Sequence, residues 1–370
     1  MPESDSPKTN GDGSGYTVRE GRWQAPAAAG TPPGLLGQAP VRERIADLVQ
    51  AVGPAPTADL VEEIIRTAVR LIEDGASRGD VKIITSALKE LRYSFKVFAP
   101  YRQVRKVTIF GSARIAEDAP EYVQAMAFAR AMAEAGFMVI TGAGDGIMKA
   151  GHGGAGRERS FGVNIRLPFE QRANAVIEGD SKLIHFKYFF TRKLIFLKEA
   201  DAVALFPGGF GTLDEAFEVL TLLQTGKGLL LPIVCLDRPG GTYWHGWRGY
   251  LEELLARGLI SKDDFNFVRV TDAVDEAVGE IRQFYRRYHS SRYVGDRLVL
   301  RMTSGLPAGA VEALKAEFGS ILRDGRIEAA RALPEEANEP EIADLPRLVL
   351  SFNRRDFGRL RRLIDAINAA

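Results

Sequence analysis

The chain has 370 residues, 45% of them hydrophobic, which gives a prior of two or three domains and a sizeable buried core. Lys and Arg number 49 against 48 Asp and Glu, a balance that argues against a broad nucleic-acid footprint or a polybasic membrane patch. One cysteine, Cys235, excludes an internal disulfide and a cysteine-based metal cluster, and no apolar stretch approaches the ~18 residues of a membrane span.

The first residues are polar and acidic rather than basic and then apolar, so no secretory leader is read and a cytoplasmic location is expected. Residues 1–40 are rich in Gly, Pro, Ser and Ala and read as a disordered tail. Residues 41–100 read as a helical extension. Leu60, Ile64, Ile65, Val69 and Ile72 recur at helical spacing, and a second run over 81–98 follows Asp80 as its N-cap. Tyr93, Phe95 and Phe98 are read as core or docking residues.

From Lys106 the pattern changes. Short apolar runs at 107–110, 137–140, 161–167, 202–206, 230–236 and 267–270 alternate with helical stretches at 119–135, 147–154, 187–199, 215–224, 244–256 and 273–285. Such alternation predicts an α/β fold, a parallel sheet flanked by helices over residues 101–288. Cys235, inside an apolar run, is an inert core thiol. Arg286, Arg287 and Arg292 raise the charge over 286–296, which reads as a linker. Residues 289–370 then read as a small α+β module in βαββα order: strand 298–302, helix 308–322, strands 326–332 and 347–352, helix 356–367. No chemistry is legible in it.

The stretch Pro207-Gly208-Gly209-Phe210-Gly211-Thr212-Leu213-Asp214-Glu215 follows the run at 202–206 and precedes a helix. Glycines let backbone approach a ligand, and a helix start offers unpaired N–H groups to an anion, so a phosphate is the expected guest. Thr212 and Glu215 also have the spacing of a capping box. Gly142, Gly144 and Gly146 lack the spacing of a dinucleotide fingerprint. Three glycine-rich loops at strand ends fit a mononucleotide better, one each for phosphate, sugar and base.

Arg192 and Lys193, placed on a helix, have Tyr188, Phe189, Phe190, Ile195, Phe196 and Leu197 as neighbours. A charge in apolar surroundings needs an anion, and Asp214, Glu215 or a bound phosphate are the candidates; the alternative is that both cations snorkel to the surface. His152, His185, His245 and His289 are scattered without ligand spacing, so no zinc site is expected. No nucleophile elbow is present.

Over residues 106–285 these motifs resemble the LOG ("Lonely guy") family, the cytokinin riboside 5′-monophosphate phosphoribohydrolases, and the related bacterial nucleotide 5′-monophosphate nucleosidases. The resemblance rests on Gly111-Ser112-x-Arg114, Thr141-Gly142-x-Gly144-x-Gly146-Ile147-Met148, Asn164 to Glu170, Arg192-Lys193, and Pro207 to Glu215. It implies a Rossmann-like fold, a homodimer or larger homo-oligomer, no cofactor, and hydrolysis of the N-glycosidic bond of a nucleoside monophosphate. It also implies Arg192 and Glu215 as the catalytic pair. Gly111, Ser112, Arg114, Gly144, Gly146, Met148, Glu170, Lys193, Gly208, Gly209, Gly211, Thr212 and Asp214 then follow as substrate-binding residues. No membrane or nucleic-acid partner is expected. The segments before residue 100 and after 290 have no counterpart in the short plant-type members. Some relatives bind molybdenum cofactor, so a non-catalytic nucleotide or molybdenum-cofactor carrier is the alternative. A nucleic-acid-binding protein of the DNA-processing kind is a third reading, but it calls for a basic face that the charge balance does not show. No pyridoxal-phosphate site is read that would support the decarboxylase label some relatives carry.

Overall fold

The computed structural model describes residues 18–19, 22–23, 39–167 and 172–370. Most of the segment read as a tail therefore lies outside the described residues. Within it, β1 (Val18–Arg19) and β2 (Arg22–Trp23) pair antiparallel. The chain forms two compact units, residues 1–85 and 86–370.

The first unit holds α1 (Ala39–Gln50), α2 (Ala58–Glu73) and the start of α3 (Arg78–Phe98). The apolar residues predicted for α2 fall on one face, but none of its residues is buried. The N-cap of α3 differs from the expectation. Helix begins at Arg78, so Asp80 lies in its first turn, and Ser77 caps. Ser77 Oγ accepts from Asp80 N at 3.2 Å, and Asp80 Oδ2 accepts from Ser77 N at 3.2 Å. This is the reciprocal bonding of a capping box.

The second unit is built on a seven-stranded parallel sheet. Its strands are β3 (Lys106–Phe110), β4 (Met138–Thr141), β5 (Ser160–Ile165), β6 (Leu183–Phe186), β7 (Ala202–Leu205), β8 (Ile233–Leu236) and β9 (Val268–Thr271), in the order β6-β5-β4-β3-β7-β8-β9. The connecting helices are α4 (Pro120–Glu134), α5 (Ile147–Ala155), α6 (Phe189–Lys198), α7 (Phe210–Gln224), α8 (Tyr243–Ala256) and α9 (Val274–Phe284). The α/β, Rossmann-like expectation holds. β3, β4, β5, β7 and β8 are buried along their whole length, as strands covered on both faces must be. Val107 and Ile109 pack with α4, α5 and α9 on one side, whereas Phe110 packs with Ile195, Ala216 and Trp244 of α6, α7 and α8 on the other. Phe98 stacks on Phe161 at 4.3 Å and is core, while Tyr93 and Phe95 are exposed.

β6 was not anticipated. It is a four-residue edge strand, Leu183–Phe186, with alternating burial, flanked by Lys182 and Lys187. The linker expected at 286–296 is instead strand and hairpin: β10 (Tyr288–Val294) turns through Gly295 into β11 (Arg297–Met302). Arg292, read as a linker charge, pairs with Glu339. α10 (Ala310–Phe318), β12 (Leu322–Ala330), β13 (Arg347–Phe352) and α11 (Phe357–Ala369) complete a separate antiparallel sheet ordered β10-β11-β13-β12. The order is thus ββαββα rather than βαββα.

Candidate functional site

The strand order reverses between β3 and β7, which pair from Val107↔Ala202 to Phe110↔Leu205. In open parallel sheets the crevice beyond such a reversal is where ligands bind. The loop after β3 and the turn after β7 are tied there, because Ser112 N donates to Pro207 O at 3.1 Å. The third glycine loop joins them. Ile147 N donates to Ser112 O at 3.1 Å, and Gly146, at φ +58°, comes so close to the Ser112 carbonyl that a Cβ would overlap it. Gly111 leaves room for Ile147, whose side chain would lie 2.6 Å from a Cβ. A cavity of about 610 Å³ opens over these loops.

α7 starts at Phe210 with Gly209 as its N-cap, five residues before the start that the apolar pattern predicts. Thr212 and Glu215 therefore lie inside the helix, and the capping-box reading of the pair fails. Thr212 N and Leu213 N both donate to Gly209 O. That leaves the N–H groups of Phe210 and Gly211 at the helix start without an acceptor among the described residues. The glycines divide by role. A Cβ on Gly208 would overlap Thr212 Oγ1, and the Gly208 carbonyl accepts from Tyr243 Oη at 2.6 Å. Gly209 and Gly211 have nothing within 4 Å of an added Cβ; both line the cavity. Packing does not require glycine there, whereas a close ligand would.

Arg192 reaches the cavity from α6 and Glu215 from α7. Arg192 Nε donates to Val163 O at 2.9 Å, and its guanidinium carbon lies 5.0 Å from the Phe196 ring centre. Its two Nη groups meet no partner among the described residues. Gly142 makes room for them, since a Cβ there would sit 2.5 Å from Nη2 and 2.7 Å from Met148 Sδ. Burial pulls the Arg192 pKa down to about 10, against the attraction of Glu215. Glu215 is 6% exposed, and its Oε2 is buried without a hydrogen-bond partner among the described residues. Burial pushes its pKa up to about 7, with Lys193 and Arg192 pulling down and Glu218 and Asp214 pushing up. Such a carboxyl can hold or release a proton near neutral pH.

Gly111, Ser112, Arg114, Met148, Arg192, Gly209, Gly211, Thr212, Asp214 and Glu215 line one cavity. Lys193, Gly144, Gly146 and Gly208 do not. Lys193 is ion-paired to Asp214 and Glu218. Gly144 O accepts from Asn174 Nδ2 at 2.9 Å, and Asn174 in turn meets the buried His152. His152, whose Nε2 also faces Thr141 Oγ1 and the Phe161 carbonyl, braces this loop from within. Glu170 lies outside the described residues.

Sequence reasoning missed Phe110, Gly142, Phe189, Phe196 and Phe210 as cavity walls. Phe210 is 94% exposed, and its place between two glycines was an available signal. Phe189 and Phe196 were read only as neighbours of the two cations. Among the described residues no group of His, Cys, Asp and Glu could hold a metal ion, and no helix is long and apolar enough to cross a membrane.

A family model described as "Possible lysine decarboxylase" matches residues 144–281. The "Probable cytokinin riboside 5′-monophosphate phosphoribohydrolase LOGL5" of Oryza sativa subsp. japonica is 22% identical over 219 residues, 58% of this chain and 86% of the relative. Among solved structures, the molybdenum cofactor carrier protein of Chlamydomonas reinhardtii is 21% identical, with 49% of this chain and 97% of that one covered and a TM-score of 0.33. DNA processing protein A of Helicobacter pylori is 14% identical, with 49% and 81% covered and a TM-score of 0.34.

Proposed function

Because the chain belongs to the LOG family, we propose that it hydrolyses the N-glycosidic bond of nucleoside 5′-monophosphates of the AMP type, giving free base and ribose 5-phosphate. The observation that carries this reading is the pairing of uncommitted groups in one cavity. Among the described residues Glu215 Oε2 and the Arg192 Nη atoms lack partners, beside a glycine turn whose helix-start N–H groups are open.

The chemistry follows from those groups. Breaking the C1′–N bond builds positive charge on the sugar, and a carboxylate beside it lowers that barrier. Glu215 is assigned this task, and it also accepts the proton that water loses as its oxygen bonds to C1′. The bonding electrons leave with the base, which takes up a proton from solvent, and Glu215 gives its proton back to water, so the net reaction consumes one water. The phosphate sits on the N–H groups of Phe210 and Gly211 and on a guanidinium, Arg192 or Arg114. This contact, remote from the reacting carbon, fixes the sugar for attack. The reaction belongs to residues 101–288, in a homodimer or larger assembly.

The test is incubation of the purified chain with AMP, GMP, CMP and IMP and chromatography of the products. Free base and ribose 5-phosphate, lost in Glu215→Ala, support the reading. Nucleotide recovered bound and unchanged would make the protein a carrier.

A further inference from the structure

Lys193 neighbours Arg192 on α6 but does not line the cavity. Its Nζ lies 2.9 Å from Asp214 Oδ2 and also pairs with Glu218 Oε2. Asp214 and Glu218 are four residues apart on α7, on the same side of that helix, and would repel each other without a cation between them. Glu215 stands next to Asp214. The bridge therefore joins the two helices one residue away from each of the groups assigned to chemistry. The Lys193 side chain is 16% exposed, whereas Asp214 is 63% and Glu218 34% exposed, so water screens the arm to Asp214 and the arm to Glu218 is the better shielded one.

We propose that Lys193 is the positioning residue of this site: its bridge to Asp214 and Glu218 holds α6 against α7 and sets the Arg192 guanidinium relative to the Glu215 carboxylate. The inference rests on the reading that these two groups act together on a nucleotide. Arg192 and Lys193 face Glu215 from α6, Asp214 and Glu218 act on it from α7, and Arg114 lines the same cavity from the loop after β3. Among the charges on Glu215, Lys193 is the strongest that pulls its pKa down. The pKa of Lys193 itself is raised, because Glu218 and Asp214 outweigh its burial. Removing Lys193 leaves two carboxylates beside Glu215 with no counterion and frees α6 to shift.

The experiment compares wild type, Lys193→Met and Glu218→Gln. It measures kcat and KM for AMP across pH 5 to 9, and it follows the Glu215 carboxyl by NMR, assigned with Glu215→Gln. Lys193→Met is expected to lower kcat by roughly 10- to 100-fold with a much smaller change in KM, the pattern of an interaction realised in the transition state. It should also move the Glu215 titration and the acid limb of the rate to higher pH. Glu218→Gln, which touches neither substrate nor cavity, should lower kcat several-fold. Wild-type kcat and an unmoved Glu215 titration in Lys193→Met would overturn the proposal. So would a rise in KM alone, with Glu218→Gln unaffected, because Lys193 would then be holding the substrate itself. If the wild type releases no base from any nucleotide, the functional reading fails. The NMR titration then still decides whether Lys193 controls Glu215.

Discussion

Arg192 and Glu215 face one cavity from separate helices and form no ion pair with each other. Arg192 Nε is held by the Val163 carbonyl at 2.9 Å, while Glu215 Oε2 is buried without a partner among the described residues. A direct pair would have neutralised both groups and lowered the Glu215 pKa. Their separation leaves the guanidinium free for an anion, and burial holds the carboxyl at about 7.

That pKa gives a stability prediction. The Glu215 carboxyl ionises near 4.5 when unfolded and at about 7 when folded, so the native state holds the proton more tightly. The contribution of this carboxyl to stability is then fully present below pH 4.5 and is lost as pH rises through 7, by up to roughly 3 kcal/mol. Glu215→Gln should therefore raise the Tm by several degrees at pH 8 and leave it unchanged at pH 4. Thermal unfolding of both proteins at the two pH values checks this.

Activity should have the opposite dependence. If the carboxylate form does the work, turnover of AMP falls tenfold per pH unit below about pH 7 and levels off above it. Glu215→Gln should lose on the order of 10²- to 10³-fold in kcat, the size seen when one preorganised electrostatic group is removed. A pH–rate profile with steady-state kinetics reads both.

Gly208→Ala and Gly209→Ala should separate folding from function. A Cβ at Gly208 collides with Thr212, whereas one at Gly209 meets nothing within 4 Å. Gly208→Ala is expected to destabilise by about 1–3 kcal/mol. Gly209→Ala should keep the wild-type Tm and yet weaken nucleotide binding, measured by calorimetry, because its methyl enters the cavity.

Gly142→Ala tests the place of the guanidinium. The new methyl would lie 2.5 Å from Arg192 Nη2, so the side chain must move. A loss of about tenfold or more in kcat/KM with an unchanged circular dichroism spectrum is expected.

Nucleosides without the 5′-phosphate should be poor substrates, at least about 100-fold lower in kcat/KM, because the anion contact fixes the sugar before attack. Adenosine against AMP in the same base-release assay decides it.

Much of this was legible in one dimension. Buried parallel strands read as continuous apolar runs, and their alternation with amphipathic stretches determined the α/β class. The glycine motifs marked the three loops, and the Arg192-Lys193 pair in apolar company marked a charge in need of an anion. What the sequence could not decide were matters of distance. The start of α7 depended on the glycine turn bending early enough to make Gly209 the cap, which took Glu215 away from helix capping. The strand β10 was hidden because a half-exposed strand has little apolar signal of its own, and β6 because its apolar run is only four residues between lysines. Lys193 and Arg192 are adjacent letters, yet the helix sends one to a carboxylate pair on α7 and the other into the cavity. Side-chain direction around a helix follows from its period, but the partner on the next helix is set only when the chain crosses between β6 and β7 and brings α6 beside α7.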